Sequence, residues 1–269
     1  MSTEVIPGPM GEVRAASTAG GGTALTGTAA RIFLPLGTKH LDLVGRNYST
    51  AVVIQWLPCP WLTIFKTADS LATSPTDYSY EAQDNSTSTS VTLSGLGTAA
   101  QGDFLYVGSR VPFSGVAIDI DAANGNASVI TVKYRKSDNT WADISATDGT
   151  DNAGASLGVD GSVTWTVPAD WLTARLRETG DTGVNFGVAQ QEMFWTRWQW
   201  SAALDASTTL DSMVAIPRST VYHEIPSGTA WEQAVTVGPG EHGISAIQAK
   251  TDAGTANLII DCAARGRFA

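Results

Sequence analysis

Short apolar runs, each interrupted after a few residues by Gly, Pro, Asn, Asp, Ser or Thr, dominate the sequence from Arg31 onward. The runs are rich in β-branched and aromatic side chains, which favour strands, and they recur every ~8–12 residues with little helical spacing between them. Within residues 162–167, Val163, Trp165 and Val167 alternate with Ser and Thr, as in a strand with one buried face. The sequence therefore predicts an all-β chain, a sandwich or a barrel rather than a βαβ fold.

The clearest strands are predicted at residues 51–57, 61–66, 91–93, 104–107, 116–120, 129–135, 162–167, 193–201, 208–216, 221–225, 231–237 and 258–263. Pro58 and Pro60 separate the first two of these runs. Because proline has no N–H to donate to a strand ladder, the chain is expected to bend there or to run along a sheet edge.

Composition excludes several classes of function. Charged residues make up only 16% of the 269 residues and hydrophobic residues 43%, which is typical of a folded protein rather than a disordered acidic tail. The net charge of −10 argues against a protein that binds nucleic acid or anionic lipid. No apolar stretch approaches the ~18 residues of a membrane helix, and the N-terminus lacks a signal-peptide core. We therefore expect no nucleic acid and no membrane as partner, and synthesis in a cytoplasm.

Four segments are predicted along the chain. Residues 1–30 are rich in Gly, Ala and Thr, and they form an extended arm that is either disordered or ordered against another surface. Residues 31–110 begin a β-domain and include a Ser/Thr-rich loop region at 67–102. Residues 111–216 form a jelly-roll-like β-sandwich, and residues 217–269 supply strands that complete the first β-domain. The sandwich is thus expected to be inserted in the first domain.

Two glycine motifs match enzyme patterns but lack the structural context that the chemistry needs. Gly154-Ala-Ser156-Leu-Gly158 matches a hydrolase nucleophile elbow, yet it lies in an Asp/Asn/Gly-rich loop that leads into a strand instead of a helix. Gly238-Pro-Gly240-Glu-His-Gly243 matches a dinucleotide fingerprint, but too little chain follows it for a βαβ unit. Both motifs are interpreted as turns, and no cofactor or catalytic residue is predicted.

Asp119 and Asp121 are weak candidates for a metal site. In a strand the two carboxylates share a face, ~6.6–6.8 Å apart along the backbone, which is close enough to hold one cation. The alternative interpretation is a strand end that runs into the turn at Asn124-Gly125, with the carboxylates in solvent.

The densest aromatic cluster is Phe194-Trp-Thr-Arg-Trp-Gln-Trp200. In a strand, Phe194, Trp198 and Trp200 face one side and are interpreted as core. Trp195 and Arg197 face the other side and are candidates for a glycan platform, since rings stack on sugars and Arg reaches hydroxyl groups. Tyr78 and Tyr80 are the candidate loop aromatics of that platform.

Cys59 and Cys262 lie far apart in the sequence and belong to no zinc-ligand spacing. The sequence leaves open whether they form a disulfide.

An ordered string of segments in the middle of the chain resembles the β-sandwich module of virion proteins from tailed bacteriophages. The resemblance covers residues 103–216 and is carried most distinctively by Thr164-Trp-Thr-Val-Pro-Ala-Asp-Trp171. The other segments that carry it are Asp103-Phe-Leu-Tyr-Val-Gly108-Ser, Pro112-Phe-Ser-Gly-Val-Ala-Ile-Asp119, Val129-Ile-Thr-Val-Lys-Tyr134, Trp141, Phe194-Trp-Thr-Arg197-Trp198 and Ser201-Ala-Ala-Leu204.

The resemblance implies a structural, non-enzymatic virion protein. Its partners would be other virion proteins, such as the major capsid or head–tail proteins, and copies of itself. We expect a capsid decoration or cement protein that acts by binding alone. The alternatives are a neck or tail structural protein, and a receptor-binding or carbohydrate-binding virion module that contacts surface glycan.

Overall fold

The fold is given by a computed structural model, which describes residues 12–14, 22–35, 38, 40–49, 51–178, 191–227, 231–236 and 243–263. The predicted all-β class is confirmed, since the regular structure in these residues consists of strands and three short 3₁₀ helices. The first strands are β1 Glu12–Arg14, β2 Thr23–Leu25, β3 Ala30–Phe33, β4 His40–Arg46, β5 Ile54–Pro60, β6 Thr63–Ala68, β7 Thr76–Asp77, β8 Val91–Thr92, β9 Asp103–Ser109, β10 Phe113–Ala122 and β11 Ile130–Arg135. The remaining strands are β12 Trp141–Asp143, β13 Thr147–Asp148, β14 Gly161–Thr164, β15 Thr173–Ala174, β16 Met193–Trp200, β17 Thr209–Pro217, β18 His223–Ile225, β19 Trp231–Thr236, β20 Ile244–Thr251 and β21 Ala256–Ala263. The 3₁₀ helices are Glu81–Gln83, Ala99–Gln101 and Leu176–Glu178.

The chain divides into two compact units. The split unit consists of Met1–Cys59 and Ser219–Ala269, and the inserted unit is Pro60–Arg218. The sequence placed the first boundary at 111, whereas the structure places it at 60. The difference arises because β6 pairs with β9 along its whole length, from Thr63 to Ala68, and so belongs to the sheet that β9 enters.

The split unit has two antiparallel sheets. One has the order β1-β21-β4-β19, with β2 also on β21, and the other has the order β18-β5-β20-β3. Period-two alternation directs Leu41 and Leu43 of β4 into the core, where they join Ile54, Trp56 and other apolar side chains. Pro58 and Pro60 lie in β5 beyond the residues that pair with β18, so the β18 ladder needs no N–H from either proline.

The predicted arm, residues 1–30, contributes two strands to the split unit. β1 and β2 both pair antiparallel with β21, and Leu25 is only 1% exposed, inside the core. Of the two alternatives for this segment, the described residues follow the second, ordering against another surface, and the burial of Leu25 contributes ~1.5–3 kcal/mol. Gly22 allows the close approach: its φ is +74°, and a Cβ there would lie 2.6 Å from the Leu258 carbonyl oxygen.

The inserted unit is a sandwich of two further sheets. The β16 sheet has the order β12-β11-β16-β9-β6-β7, with β15 on β16, and the β10 sheet has the order β13-β14-β10-β17-β8. Leu105 and Val107 of β9 face the core between the sheets, while Phe104 and Tyr106 face a second apolar cluster on the opposite side of the β16 sheet. The β16 sheet therefore buries side chains on both faces.

Candidate functional site

The two faces of β16 divide as the sequence predicts. Trp198 and Trp200 lie in the sandwich core and Phe194 packs against it, while Trp195 lies in the cluster on the opposite face. The predicted core role of the first set is thus confirmed.

Trp195 is fully buried and does not form part of a glycan platform. Its ring stacks on Phe65 with centroids 6.0 Å apart, and its Nε1 donates to the Ala174 carbonyl oxygen at 2.9 Å. Leu71 and Leu176 belong to the same buried cluster. The prediction is wrong for this residue because loops distant in sequence cover the face on which Trp195 lies.

Arg197 lies on the same face as Trp195 but keeps part of its surface in solvent. Its guanidinium carbon is 4.4 Å from the centroid of Phe104 and 4.9 Å from that of Trp141, so two rings hold the cation by cation–π contact. Lys133 stands directly opposite Arg197 on β11, and Arg135 lies 5.8 Å from the Trp141 centroid. The arrangement is a cluster of cationic and aromatic side chains on one face of the sheet, in which Arg135 and Phe104 are buried and Arg197 is partly exposed.

Sequence reasoning missed Lys133 and Trp141 as neighbours of Arg197. Their proximity follows from the registers of β12 on β11 and of β11 on β16, which pair Lys133 with both Asp143 and Arg197. No local pattern encodes such a register, although the tryptophan itself is visible in the sequence.

The structure does not bring the two tyrosines to Arg197. Tyr78 is partly buried and packs against the sandwich core, which lies on the other face of the β16 sheet. Tyr80 precedes the 3₁₀ helix Glu81–Gln83 and is 58% exposed. The predicted platform therefore does not assemble as one surface.

Asp119 and Asp121 lie exposed near the end of β10, close to Asp160 and Asp211. The Ile120 N–H donates to Asp160 Oδ1 at 2.9 Å, and the Thr209 hydroxyl donates to Asp121 Oδ2 at 2.8 Å. Within the described ranges, no group of three or more His, Cys, Asp or Glu side chains is placed to hold a metal ion.

Like charge and partial burial act on these carboxyl groups. Burial, followed by the charges of Asp160 and Asp211, raises the pKa of Asp119. Burial, followed by the charges of Asp121 and Asp160, raises the pKa of Asp211. Both burial and neighbouring negative charge therefore disfavour the charged form of Asp119 and of Asp211.

Ser156 of the elbow-like motif is a buried structural residue, 2% exposed. Its Oγ accepts a hydrogen bond from the Ile130 N–H at 2.9 Å, and its carbonyl oxygen accepts one from Asn124 Nδ2 at 2.9 Å. The turn interpretation fits this geometry. Residues 238–242 of the second glycine motif lie outside the described residues.

Cys59 and Cys262 are both buried, and they do not form a disulfide with each other. Burial raises the pKa of Cys59 to about 12. Its thiol is therefore protonated at neutral pH, whereas the nucleophile is the thiolate.

No helix in the described part of the chain is long and apolar enough to cross a membrane. Comparison with known protein families and with curated proteins finds no match to this chain.

Proposed function

We propose that the chain is a structural component of a tailed-phage virion, bound to the capsid exterior as a decoration or cement protein and acting by binding alone. One observation carries the proposal: the segments that resemble the phage virion module build a single sandwich. They supply β9, β10, β11, β14 and β16, the central strands of the inserted unit.

The most distinctive segment, Thr164–Trp171, supports the proposal through its packing. The rings of Trp165 and Trp171 each lie 5.4 Å from that of Phe113. Trp165 Nε1 donates to the Phe113 carbonyl oxygen at 2.9 Å, and Trp171 Nε1 donates to the Trp195 carbonyl oxygen at 3.2 Å. These residues therefore join the two sheets, and the resemblance lies in the residues that determine the fold.

The N-terminal segment gives the proposal a second support. β1 and β2 show that this segment pairs as an added strand along a sheet edge, which is how extended chains commonly bind proteins. A protein with two sandwiches and such a segment is suited to bridging neighbouring subunits of a shell.

Immunogold electron microscopy tests the proposal on particles of the phage whose genome encodes the chain. Antibody raised against the purified protein should label the head surface evenly. Label on the neck or tail would overturn the decoration role in favour of the first alternative. Purified particles without the chain, judged by mass spectrometry, would overturn the virion role itself.

A truncated variant sharpens the test. Deleting residues 1–21 removes β1 but leaves β2 and Leu25 in place, so the variant should fold. We expect it to bind particles stripped of the protein at least ~10-fold more weakly than the full chain, a difference of ~1.4 kcal/mol. Equal binding would exclude the N-terminal segment as the contact, and a glycan array run in parallel tests the receptor-binding alternative.

A further inference from the structure

The segment that carries β2 is joined to the split unit mainly through one strand, β21. Its three residues pair with Ala256–Leu258 of β21, from Thr23 opposite Leu258 to Leu25 opposite Ala256. Of the three residues of β2, only Leu25 is buried, while Ala24 is exposed. The attachment of β2 therefore consists of one edge ladder, the buried Leu25 side chain and the close fit of Gly22 on Leu258, and β1 adds a second ladder on the same strand.

The link between this segment and the rest of the unit is short and exposed. Residues 26–29 connect β2 in one sheet to β3 in the other, and all four are exposed. The Thr26 carbonyl oxygen accepts a hydrogen bond from the Thr251 N–H at 2.8 Å. If the chain turns away at this link, it breaks the Thr26–Thr251 hydrogen bond and withdraws Leu25, the one buried side chain of β2.

The edge of β21 is complementary to this particular segment. β4 occupies one side of β21, and β1 and β2 occupy the other. If the segment left, β21 would present an unpaired edge, and such edges pair readily with any suitable strand. The strand that fits is the one seen there, and every copy of the chain carries it.

We propose that the N-terminal segment is exchangeable, so that β1 (Glu12–Arg14) and β2 (Thr23–Leu25) of one copy pair with β21 of a second copy in the same register. The contacts between the segment and β21 are the same whether the two belong to one copy or to two copies. Only the conformation of residues 26–29 differs between these two forms. Within one copy, the short link keeps the segment near its own β21 at an effective concentration in the millimolar range. Pairing with the β21 of another copy is therefore expected where the protein itself reaches a comparable concentration. The inference stands independently of the virion role.

A disulfide that only exchange can form provides the test. Ala24 and Asn257 are register partners on adjacent strands and lie away from the core, and residues paired in this way are close enough to bridge. One full-length protein carries Ala24→Cys and a second carries Asn257→Cys. Both also carry Cys59→Ala and Cys262→Ala, which removes the native thiols.

The two proteins are mixed, incubated and oxidised, and covalent heterodimer is measured on a non-reducing gel. We expect little heterodimer at ~10 µM and a major band at ~1 mM, because the second concentration is comparable with the effective concentration of the tether. A single chain that carries both new cysteines should form the intramolecular disulfide and so shows that the pair can bridge.

The matched control pairs Ala24→Cys with Ala256→Cys, which lies one residue out of register on the opposite face of β21. Heterodimer with Asn257→Cys but not with Ala256→Cys supports the exchanged ladder. No heterodimer at ~1 mM, or equal amounts with both partners, overturns it. Neither result depends on finding the chain in a particle.

Discussion

Asn124 determines the conformation of a large loop region through one buried amide. Its Nδ2 donates to the carbonyl oxygens of Asn126 and Ser156, and its Oδ1 accepts from the N–H groups of Asn126 and Asp205. Four bonds use the full capacity of the side chain in a residue that is 3% exposed. The sequence indicates a turn at Asn124-Gly125 but contains no local sign that Ser156 and Asp205 meet it there.

At the same scale, Asp119→Asn is expected to stabilise the protein at neutral pH. Because the pKa of Asp119 is raised, the folded state binds this proton more tightly than the unfolded chain does. Stability therefore falls as pH rises through the folded pKa, and at neutral pH the charge is unfavourable. Removing it should raise the free energy of unfolding by ~0.2–1 kcal/mol, the magnitude of an exposed charge pair. Thermal unfolding between acidic and neutral pH measures this gain, which should vanish at low pH.

Asp138→Asn is the matched control, because we expect it to lower the free energy of unfolding at neutral pH. The Thr140 hydroxyl donates to Asp138 at 2.6 Å and lowers the pKa of that carboxyl group. Its charged form therefore favours the folded state at neutral pH, and this contribution is lost as pH falls. If both substitutions changed stability in the same direction, repulsion around Asp119 would be ruled out.

At the scale of strands, the contact of β9 with β16 depends on the absence of a side chain. Gly108 stands opposite Trp195, and a Cβ at Gly108 would clash with Cε3 of that ring. The ring cannot move aside easily because it is fully buried and stacked on Phe65. The large tryptophan and the glycine thus form one packing unit across the two strands.

We expect Gly108→Ala to destabilise the protein by ~1–3 kcal/mol, as overpacking of a core does. Gly125→Ala is the matched control, because its Cβ would meet only Asp205 Oδ2 at an ordinary 3.5 Å. Urea unfolding followed by tryptophan fluorescence compares the two variants. Equal losses would show that the Gly108 contact is not the cause.

At the scale of the molecule, the chain enters the inserted unit once and leaves it once. Its β6 and β17 are the first and last strands of that unit, and its core is made from its own residues. A fragment of residues 60–218 is therefore expected to fold cooperatively by itself, with a sharp thermal transition and dispersed amide signals in NMR.

The domain predicted from the sequence, residues 111–216, serves as the comparison fragment. It lacks β9, which pairs with both β16 and β6 at the centre of one sheet. It should therefore fail to fold. A stable fold for residues 111–216 would contradict the boundary at 60.

The strands were largely predictable, because alternation of large apolar and polar side chains is local. Each of the predicted strands overlaps an observed one, from β5 to β21. β20 was missed because Ser245, Ala246 and Ala249 are small and give a weak strand pattern. Eight further strands were also missed, namely β1 to β4, β7, β12, β13 and β15. Seven of these have only two to four residues and almost no pattern, whereas β4 has seven residues and its alternation at Leu41 and Leu43 was overlooked.

The candidate site was predictable only as separate residues. The face of Arg197 follows from the period of a strand, whereas the rings that hold it come from β9 and β12. The cover over Trp195 comes from Leu71 and Leu176, each far away in sequence. A pattern among neighbouring residues cannot specify which rings contact Arg197 or which side chains cover Trp195.

By itself, the sequence determined the all-β class, the positions of most strands and the core face of β16, because side-chain alternation acts over neighbouring residues. Only the tertiary structure decided that the boundary lies at Pro60, that the N-terminal segment joins β21 and that Trp195 is covered. The physical reason is that strand pairing and burial of a sheet face depend on contacts between distant segments. Such contacts are fixed by the free energy of the whole fold.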